Sequence, residues 1–594
     1  MAELIRDTVF GHLVRFVTKG RYLQFIEEKD PSLWKRYLDR EQTQNMALFG
    51  HADLTTNEEK ERNITAGTPP EPATPPGAAS GGPTPSDDTS GSLNQEKTQE
   101  DTERRHGQMH STLTNQKLDT EKGRDATMVT WFGDDDPENP INWSTFKKVF
   151  VTFEICLLTF SVYIGSAIYS AGTEDVTMVF GVSQVAATFG LTLFVAGYGL
   201  GPMIWAPMSE IPQIGRNPIY IGTLVVFVIL QVPTALAVNF GMLLAFRFIT
   251  GFIGSPVLAT GGASLGDMFA PQYRAYAIGI WGISAVCGPV MGPLVGGFAA
   301  QAEGWRWTIW ELMWLCGFSL VMFIFLLPET SANNILYRRT RRLRKVTGIE
   351  SLRCQPELVG ESMTTKDIVM IAIVRPISLN FQEPIVFLLN LYIALIYGLL
   401  YIWFESFPIV FVGLYKFNLG QEGLAFVGIL VGAIIVIPPF FWYLHKFVEP
   451  QFDENGNIVP EERLRAAFFG AFCIPICLFW FGWSAQPRIH WIMPIIGSGW
   501  FSIGAFLLFN SVLNYLGDAY PEYAASVLAG NDFMRSSFGA GFPLFAAAMY
   551  NNLGVNWASS LLGFLSIAFI PIPFALHRYG KRIRLRSKRA RHDL

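Results

Sequence analysis

Charge is what this chain has least of. Only 16% of its 594 residues are Asp, Glu, Lys or Arg, against about a quarter in ordinary soluble domains. Those few are clustered between long runs that carry almost none, which excludes an ordinary soluble enzyme. Cysteine is scarce as well. The six (Cys156, Cys287, Cys316, Cys354, Cys473 and Cys477) lie mostly inside apolar runs and form no CxxC pair, so neither a disulfide framework nor a zinc site is expected. No GxxxxGK[ST] phosphate loop is present, which excludes an ATP site of that type. HExxH and a post-strand GxGxxG are missing too. The first residues mix Glu3, Arg6 and Asp7 with isolated apolar ones, so no secretory leader is expected.

What is abundant is apolar sequence: half the residues are hydrophobic. They fall in runs near 149–172, 184–208, 217–237, 241–265, 274–300 and 305–327, then, after a polar interruption, near 383–412, 423–445, 466–484, 488–516, 522–550 and 556–577. Each is close to the ~20 residues a helix needs to cross the hydrocarbon core. Six and six predict an all-α integral membrane protein of about twelve spans in two six-helix bundles.

The rest of the chain sorts around those bundles, 128–327 and 383–577. Residues 1–48 open with Leu4, Ile5, Val9, Leu13, Phe16 and Val17 at helical spacing opposite Arg6, Asp7, His12, Arg15 and Lys19. Such a segment lies flat on a membrane face or packs as a short helix on the body. Residues 49–127 are rich in Thr, Pro, Gly, Ser and Glu and are expected to be a disordered linker. The central loop 328–382 carries Arg338, Arg339, Arg341, Arg342, Arg344 and Lys345, and the tail 578–594 is equally basic. An even number of spans puts both on one side, which the positive-inside rule makes cytoplasmic. Both termini are then inside, and the tail faces the anionic leaflet, not nucleic acid.

The stretch SAVCGPVMGPLVGG stands out within the fifth run. Gly288, Gly292 and Gly296 recur every fourth residue, as do Pro289 and Pro293. The glycines offer a flat face for close helix approach; the prolines remove main-chain donors and soften the same helix. One Gly-xxx-Gly alone would suit static packing. Two interleaved repeats point to a part that moves against its neighbour.

Ionisable residues inside spans are expensive and point to function. Arg247, in the fourth run, needs a carboxylate, a carbonyl cage or water. Glu154 in the first run and Glu311 in the sixth are candidate partners or proton carriers. In the seventh run Tyr397, Tyr401 and Glu405 are four apart, a face that suits either a cavity for flat organic molecules or an aromatic belt with Glu405 at the headgroups. Tyr163, Tyr397, Tyr401 and Phe404 are the candidate cavity residues, and Arg247, Glu154 and Glu405 the candidates for proton coupling. Asp532 and Arg535, three apart near the start of the eleventh run, read as a local structural pair sooner than as a relay. Between the second and third runs, Gly201, Ser209, Glu210, Gly215 and Arg216 outline a short loop whose charges could latch one conformation.

These residues resemble the fungal drug:proton antiporters of the major facilitator superfamily, about twelve spans long, and are similar to the multidrug and fluconazole resistance facilitators of yeasts and moulds. The likeness covers roughly 128–577 and rests on WFGDDDPENPINW, SVYIGSAIYSAG, GYGLGPMIWAPMSE, RFITGFIGSPVLATGGASLGD, GPVMGPLVGG and WRWTIWELMWL with LPETSANNILYRRTRRLR. It implies a gating role for Gly201–Arg216, with Glu210 where the general pattern has aspartate. It implies proton transfer involving Arg247, and an exchange-directing role for Gly288, Pro289, Gly292 and Gly296. The corresponding latch of the second half is weak: near 441–452 there is only WYLHKFVEPQFD.

The expectation is a monomeric, cofactor-free exporter in the plasma membrane, driving amphipathic drugs out against inward protons. A proton-linked uptake carrier on the same fold is the main alternative. A membrane-embedded enzyme is the remote one, since His445, His490 and His577 lie in no catalytic arrangement.

Overall fold

Apolar runs bounded by capping residues become helices here. Ser183 Oγ accepts from the N–H of Ala186, Asn239 Oδ1 from that of Met242, and Asn418 forms a capping box with Gln421. Each side chain satisfies a helix-start donor that has no intrahelical partner. The computed structural model describes residues 2–35, 37–38, 128–362, 364–454 and 456–593; the linker expected over 49–127 lies outside them.

Among the described residues, eleven helical stretches are long and apolar enough to cross a membrane. They are α1 (Thr145–Phe180), α2 (Gln184–Glu210), α3 (Asn217–Ala235), α4 (Phe240–Met268), α5 (Pro271–Glu303), α6 (Trp305–Leu326), α7 (Pro384–Leu414), α8 (Leu419–Gln451), α9 (Pro460–Ser484), α10 (Ile492–Ala519) and a last one, Pro521–Arg584, of 64 residues. At about 1.5 Å per residue that last stretch would measure about 96 Å, some three times the hydrocarbon core of roughly 30 Å. It does not run straight. Gly554 sits at φ 76°, ψ 158°, a left-handed conformation that glycine tolerates, and divides it into α11 (521–553) and α12 (555–584). The twelve runs are therefore twelve helices.

The chain forms two compact units. The first comprises residues 1–24, 131–339 and 356–594 and contains all twelve helices. Within it α1 packs on α5, α2 on α4 and α3 on α6; in the second half α7 packs on α11, and α10 on both α8 and α9. The halves meet along α2–α11 and α5–α8. α7 is central, with 83% of its apolar window buried, whereas α6 has 28% and turns Trp314, Phe318, Val321 and Phe325 outward, as a lipid-facing helix does. The second unit, whose described residues are 25–35, 37–38, 128–130 and 340–355, pairs Met128–Val129 in parallel with Arg353–Cys354. There Arg342 bonds Glu27 and stands 3.5 Å over the Phe25 ring.

Two sequence expectations change. The central stretch 328–382 is largely helical (Ala332–Thr347, Gln355–Ser362, Arg375–Gln382), not a solvated loop. Arg339 is fully buried: it pairs with Asp136, and with Glu138 at 3.0 Å, so the acidic entry segment exists partly to neutralise it. Burial pushes the Asp136 carboxyl up. The Arg339 guanidinium and the N–H groups of Phe132 and Glu138 more than offset this, leaving it below its usual range. The N-terminal segment forms short helices, Ala2–Arg6 and Val9–Val17. Phe10 packs on Phe325 of α6 at 4.8 Å, and His12 Nε2 is 2.9 Å from Arg338 Nη1, so this segment is docked on the body.

Candidate functional site

The helix ends that carry the 211–216 turn and the C-terminal tail are here termed the basic end, the opposite ends the far end. Between the two halves lies a cavity walled by Tyr163 of α1, Trp281 of α5, Tyr397 of α7, Phe509 and Asn510 of α10, and Arg535 of α11. Trp281 is held by its Nε1–H, which donates to Thr159 Oγ1 at 2.8 Å. The space is about 50 Å³, well under the roughly 300–1,000 Å³ of ligand-holding pockets. A drug-sized molecule is admitted only when the halves part.

One cation stands in this aromatic wall. Arg535 Nε donates to Asp532 Oδ1 at 2.8 Å, and Nη2 to the Tyr163 hydroxyl at 2.9 Å. The i,i+3 pair read from the sequence does form, and its Arg535 also stands at the cavity, which the sequence reading missed. A chain of buried amides fixes α11 against α7: Asn531 donates to Asn390 at 2.8 Å and Asn390 to Asn380 at 2.7 Å. Spacing carried no signal for these amides.

Above the cavity toward the far end, hydroxyls from both halves meet. Ser166 donates to its own helix at Tyr163 O, so Tyr401 donates to Ser166, 2.8 Å away. Tyr198 lies 2.8 Å from Tyr401 and bonds Tyr397 as well. Tyr163 and Tyr397 line the cavity, whereas Tyr401 and Phe404 sit one layer out. Phe404 packs edge-on against Tyr401 at 5.1 Å and against Phe426 at 5.7 Å. Glu405 is neither on the cavity wall nor at a lipid-facing surface. It is buried and accepts from Thr188 Oγ1 at 3.1 Å and Gln184 Nε2 at 3.4 Å, tying α7 to α2 at the far end.

Of the three environments Arg247 required, the carbonyl cage is the one found. Its Nε donates to Gly190 O at 2.9 Å and its Nη2 to Gly165 O at 3.0 Å. The faces of Phe194 and Tyr169 lie 4.3 and 4.8 Å from its carbon centre. Among the described residues no carboxylate pairs with it, so Glu154 and Glu311 are not its partners. Glu154 is fully buried with neither oxygen hydrogen-bonded; Glu311 is half-buried.

The glycines of α5 do face a neighbour. A Cβ on Gly288 would meet Tyr163, one on Gly292 would lie 2.7 Å from Ala167 Cβ, and one on Gly296 would press on Ile168 O, so this face packs on α1. The helix runs unbroken through Pro289 and Pro293. Its other side meets α8 across the halves, where Gly423 lies against Pro293 O. At the basic end Tyr276 of α5 donates to Glu449 of α8 at 2.7 Å.

The expected gating loop is mostly helix. α2 continues through Gly201 and Ser209 to Glu210, Ser209 bonding back to Ala206 O. Glu210 is exposed and holds no ion pair among the described residues. Arg216 instead pairs with Asp267 of α4 at 3.0 Å. The N–H groups of Arg216 and Asn217 donate to Glu329, both at 3.2 Å. Gly215, at φ 78°, turns the chain where a side chain would strike Glu329 and Asn334. Asp267 and Glu329, not Glu210, hold this turn.

A family model described as Major Facilitator Superfamily matches residues 155–543. Transporter mfs1 of Schizosaccharomyces pombe is 46% identical over 486 residues, 81% of this chain and 92% of its own length. The cycloheximide resistance protein of Candida maltosa is 42% identical over 80% of this chain and 88% of its own. Fluconazole resistance protein 1 of Saccharomyces cerevisiae is 42% identical over 78% and 85%. Two halves of six helices meeting around a central cavity, and a family match across both, lead to one assignment: the chain belongs to the Major Facilitator Superfamily, as a multi-pass membrane transporter.

Proposed function

We propose that this chain exports amphipathic organic molecules in exchange for protons. The observation that carries the reading is the cavity itself. It is aromatic, lies between the two halves, and is bridged toward both ends by contacts that must break for access: Glu405–Thr188 at the far end and Tyr276–Glu449 at the basic end. Rocking the halves about such a site opens it to one side at a time. The relatives named for fluconazole and cycloheximide resistance support aromatic and amphipathic drugs as cargo and export as direction.

Glu405 is the proton-sensitive closure of the far end, since losing its charge weakens what Thr188 and Gln184 hold. Glu154 is a second proton-binding carboxyl in α1. Arg247 holds α1, α2 and α4 in the register that coupling requires, through the Gly165 and Gly190 carbonyls. The Gly201–Arg216 segment gates the basic end through Asp267 and Glu329, and α5 slides on α1 along Gly288, Gly292 and Gly296. The protein works as a monomer in the plasma membrane with both termini cytoplasmic. No phosphate loop powers it, so the gradient does.

The test is efflux from pump-deleted yeast preloaded with labelled fluconazole. Expression should speed efflux, and a protonophore should abolish the gain. Drug accumulation above the empty-vector level would contradict export.

A further inference from the structure

Asp532 and Arg535 stand about one turn apart on α11 and are both buried. Asp532 Oδ1 is engaged twice by the guanidinium, while Oδ2 is buried with no hydrogen-bond partner. Arg535 faces the cavity, its carbon centre 5.4 Å from the Tyr397 ring and 5.8 Å from that of Phe509. Across the cavity Nη2 reaches Tyr163 of α1, so the pair belongs to one half and its outer contact to the other. Asn510 Oδ1, on the same wall, is also without a partner.

Charge arithmetic follows. Arginine keeps its proton under all ordinary conditions, so the pair is neutral while Asp532 is ionised. A proton arriving there lands on Oδ2, because Oδ1 is occupied. The carboxylate becomes a carboxylic acid, no other bond is made or lost, and the wall acquires one uncompensated positive charge. A buried charge without its partner is costly and is relieved by water or by an anion. A cationic ligand is repelled by it, and a dry aromatic ligand must displace the water it holds.

We infer that Asp532 is the group over which proton and substrate compete. The cargo this selects is an aromatic molecule, uncharged or cationic and without an acid group. The inference rests on the exchange reading above and gives it a location. The other buried carboxyls are placed differently: Glu405 bonds α2 at the far end, and Glu154 bonds no residue of the cavity wall, whereas Asp532 reaches the wall through Arg535. The titratable groups facing the pair are Tyr163 from α1 and Tyr397 from α7, with Tyr198 of α2 and Tyr401 behind them. α10 presents only Phe509 and Asn510. Among the described residues no second carboxyl bonds the pair. Competition at one site is what makes exchange obligatory: the two ligands reduce each other's affinity by the same factor.

The test uses the full-length protein in detergent and weak buffer with a pH dye, adding fluconazole, the cation rhodamine 6G or the anion benzoate. Wild type is expected to release protons on binding fluconazole or rhodamine 6G and to bind benzoate only in acid. Asp532→Asn, which leaves the Arg535 charge unpaired as protonation does, should bind both drugs more weakly and release no proton at any pH. Asp532→Asn with Arg535→Gln, which removes that unpaired charge as well, should bind both drugs again, still with no proton release. Proton release by either variant equal to that of wild type overturns the proposal. So does benzoate binding at neutral pH as tight as that of rhodamine 6G. A wild type that binds neither drug sinks the exchange reading instead. The switch then rests on the Trp281 contribution to fluorescence, isolated with Trp281→Phe. A pH step lost in Asp532→Asn supports it, and an unchanged step overturns it.

Discussion

Arg535 of α11 donates to the Tyr163 hydroxyl of α1 at 2.9 Å, joining the two halves across the cavity by one charge-assisted bond. Such bonds contribute about 1.5–3 kcal/mol. Tyr163→Phe keeps the ring and removes the acceptor, so this cross-half tie is lost with little change in packing. Transport by Tyr163→Phe is expected to slow severalfold with the protein still folded. Drug efflux per copy at the membrane measures it, and a rate equal to wild type would mean that the bond plays no part in the cycle.

Arg247→Lys should fail although charge is conserved. One ammonium cannot reach the Gly165 and Gly190 carbonyls together while lying flat against Phe194 and Tyr169. Leaving a buried carbonyl without its donor costs about 1–3 kcal/mol. The thermal midpoint in detergent should fall and transport with it. Arg247→Lys melting with wild type would contradict the cage.

Gly292→Val should abolish transport, because even a Cβ there lies 2.7 Å from Ala167 Cβ and from the Ile168 nitrogen. Overpacking of this kind costs about 1–3 kcal/mol. Gly292→Ala should fall between the two, and efflux per copy at the membrane ranks the three.

These positions also show what can be read before any coordinates. The twelve helices were legible because the hydrocarbon core imposes both length and apolarity, and the Gly288–Gly292–Gly296 face because its period is local. Arg247's need for partners was legible too, but not their identity, since main-chain carbonyls of Gly165 and Gly190 leave no mark in the side-chain pattern. For Arg216, a charged contact from its loop to another helix end was legible, but not the partner. Its real partners are Asp267 and, 113 residues away, Glu329, which only the packing of α4 and the end of α6 brings near. Asp532 and Arg535 were visible as a pair. That Arg535 faces a cavity depends on how α11 meets α1, α7 and α10.

Glu405→Ala should loosen the far end. Without its oxygens Thr188 and Gln184 lose their acceptor on α7. A cysteine placed at Thr192, one turn further along α2 and buried, should then react faster with a membrane-impermeant thiol reagent. Unchanged labelling would remove Glu405 from the closure.

Acid should undo the Arg339 site in a defined direction. The Asp136 carboxyl lies below its usual range in the folded protein, so its contribution is complete above the unfolded value of about 3.9. It is lost as pH falls through the lowered folded value. Asp136→Asn is therefore expected to melt below wild type at neutral pH, with the gap closing only in strong acid. A gap that closes near neutrality would assign the effect to another group.

The most direct test of proton-driven export is transport by the purified full-length protein in lipid vesicles with an imposed pH gradient. Exchange predicts that fluconazole accumulates inside vesicles whose interior is acidic, and that Asp532→Asn abolishes this accumulation. Accumulation driven instead by an acidic exterior would show proton and drug moving together, and would contradict the account.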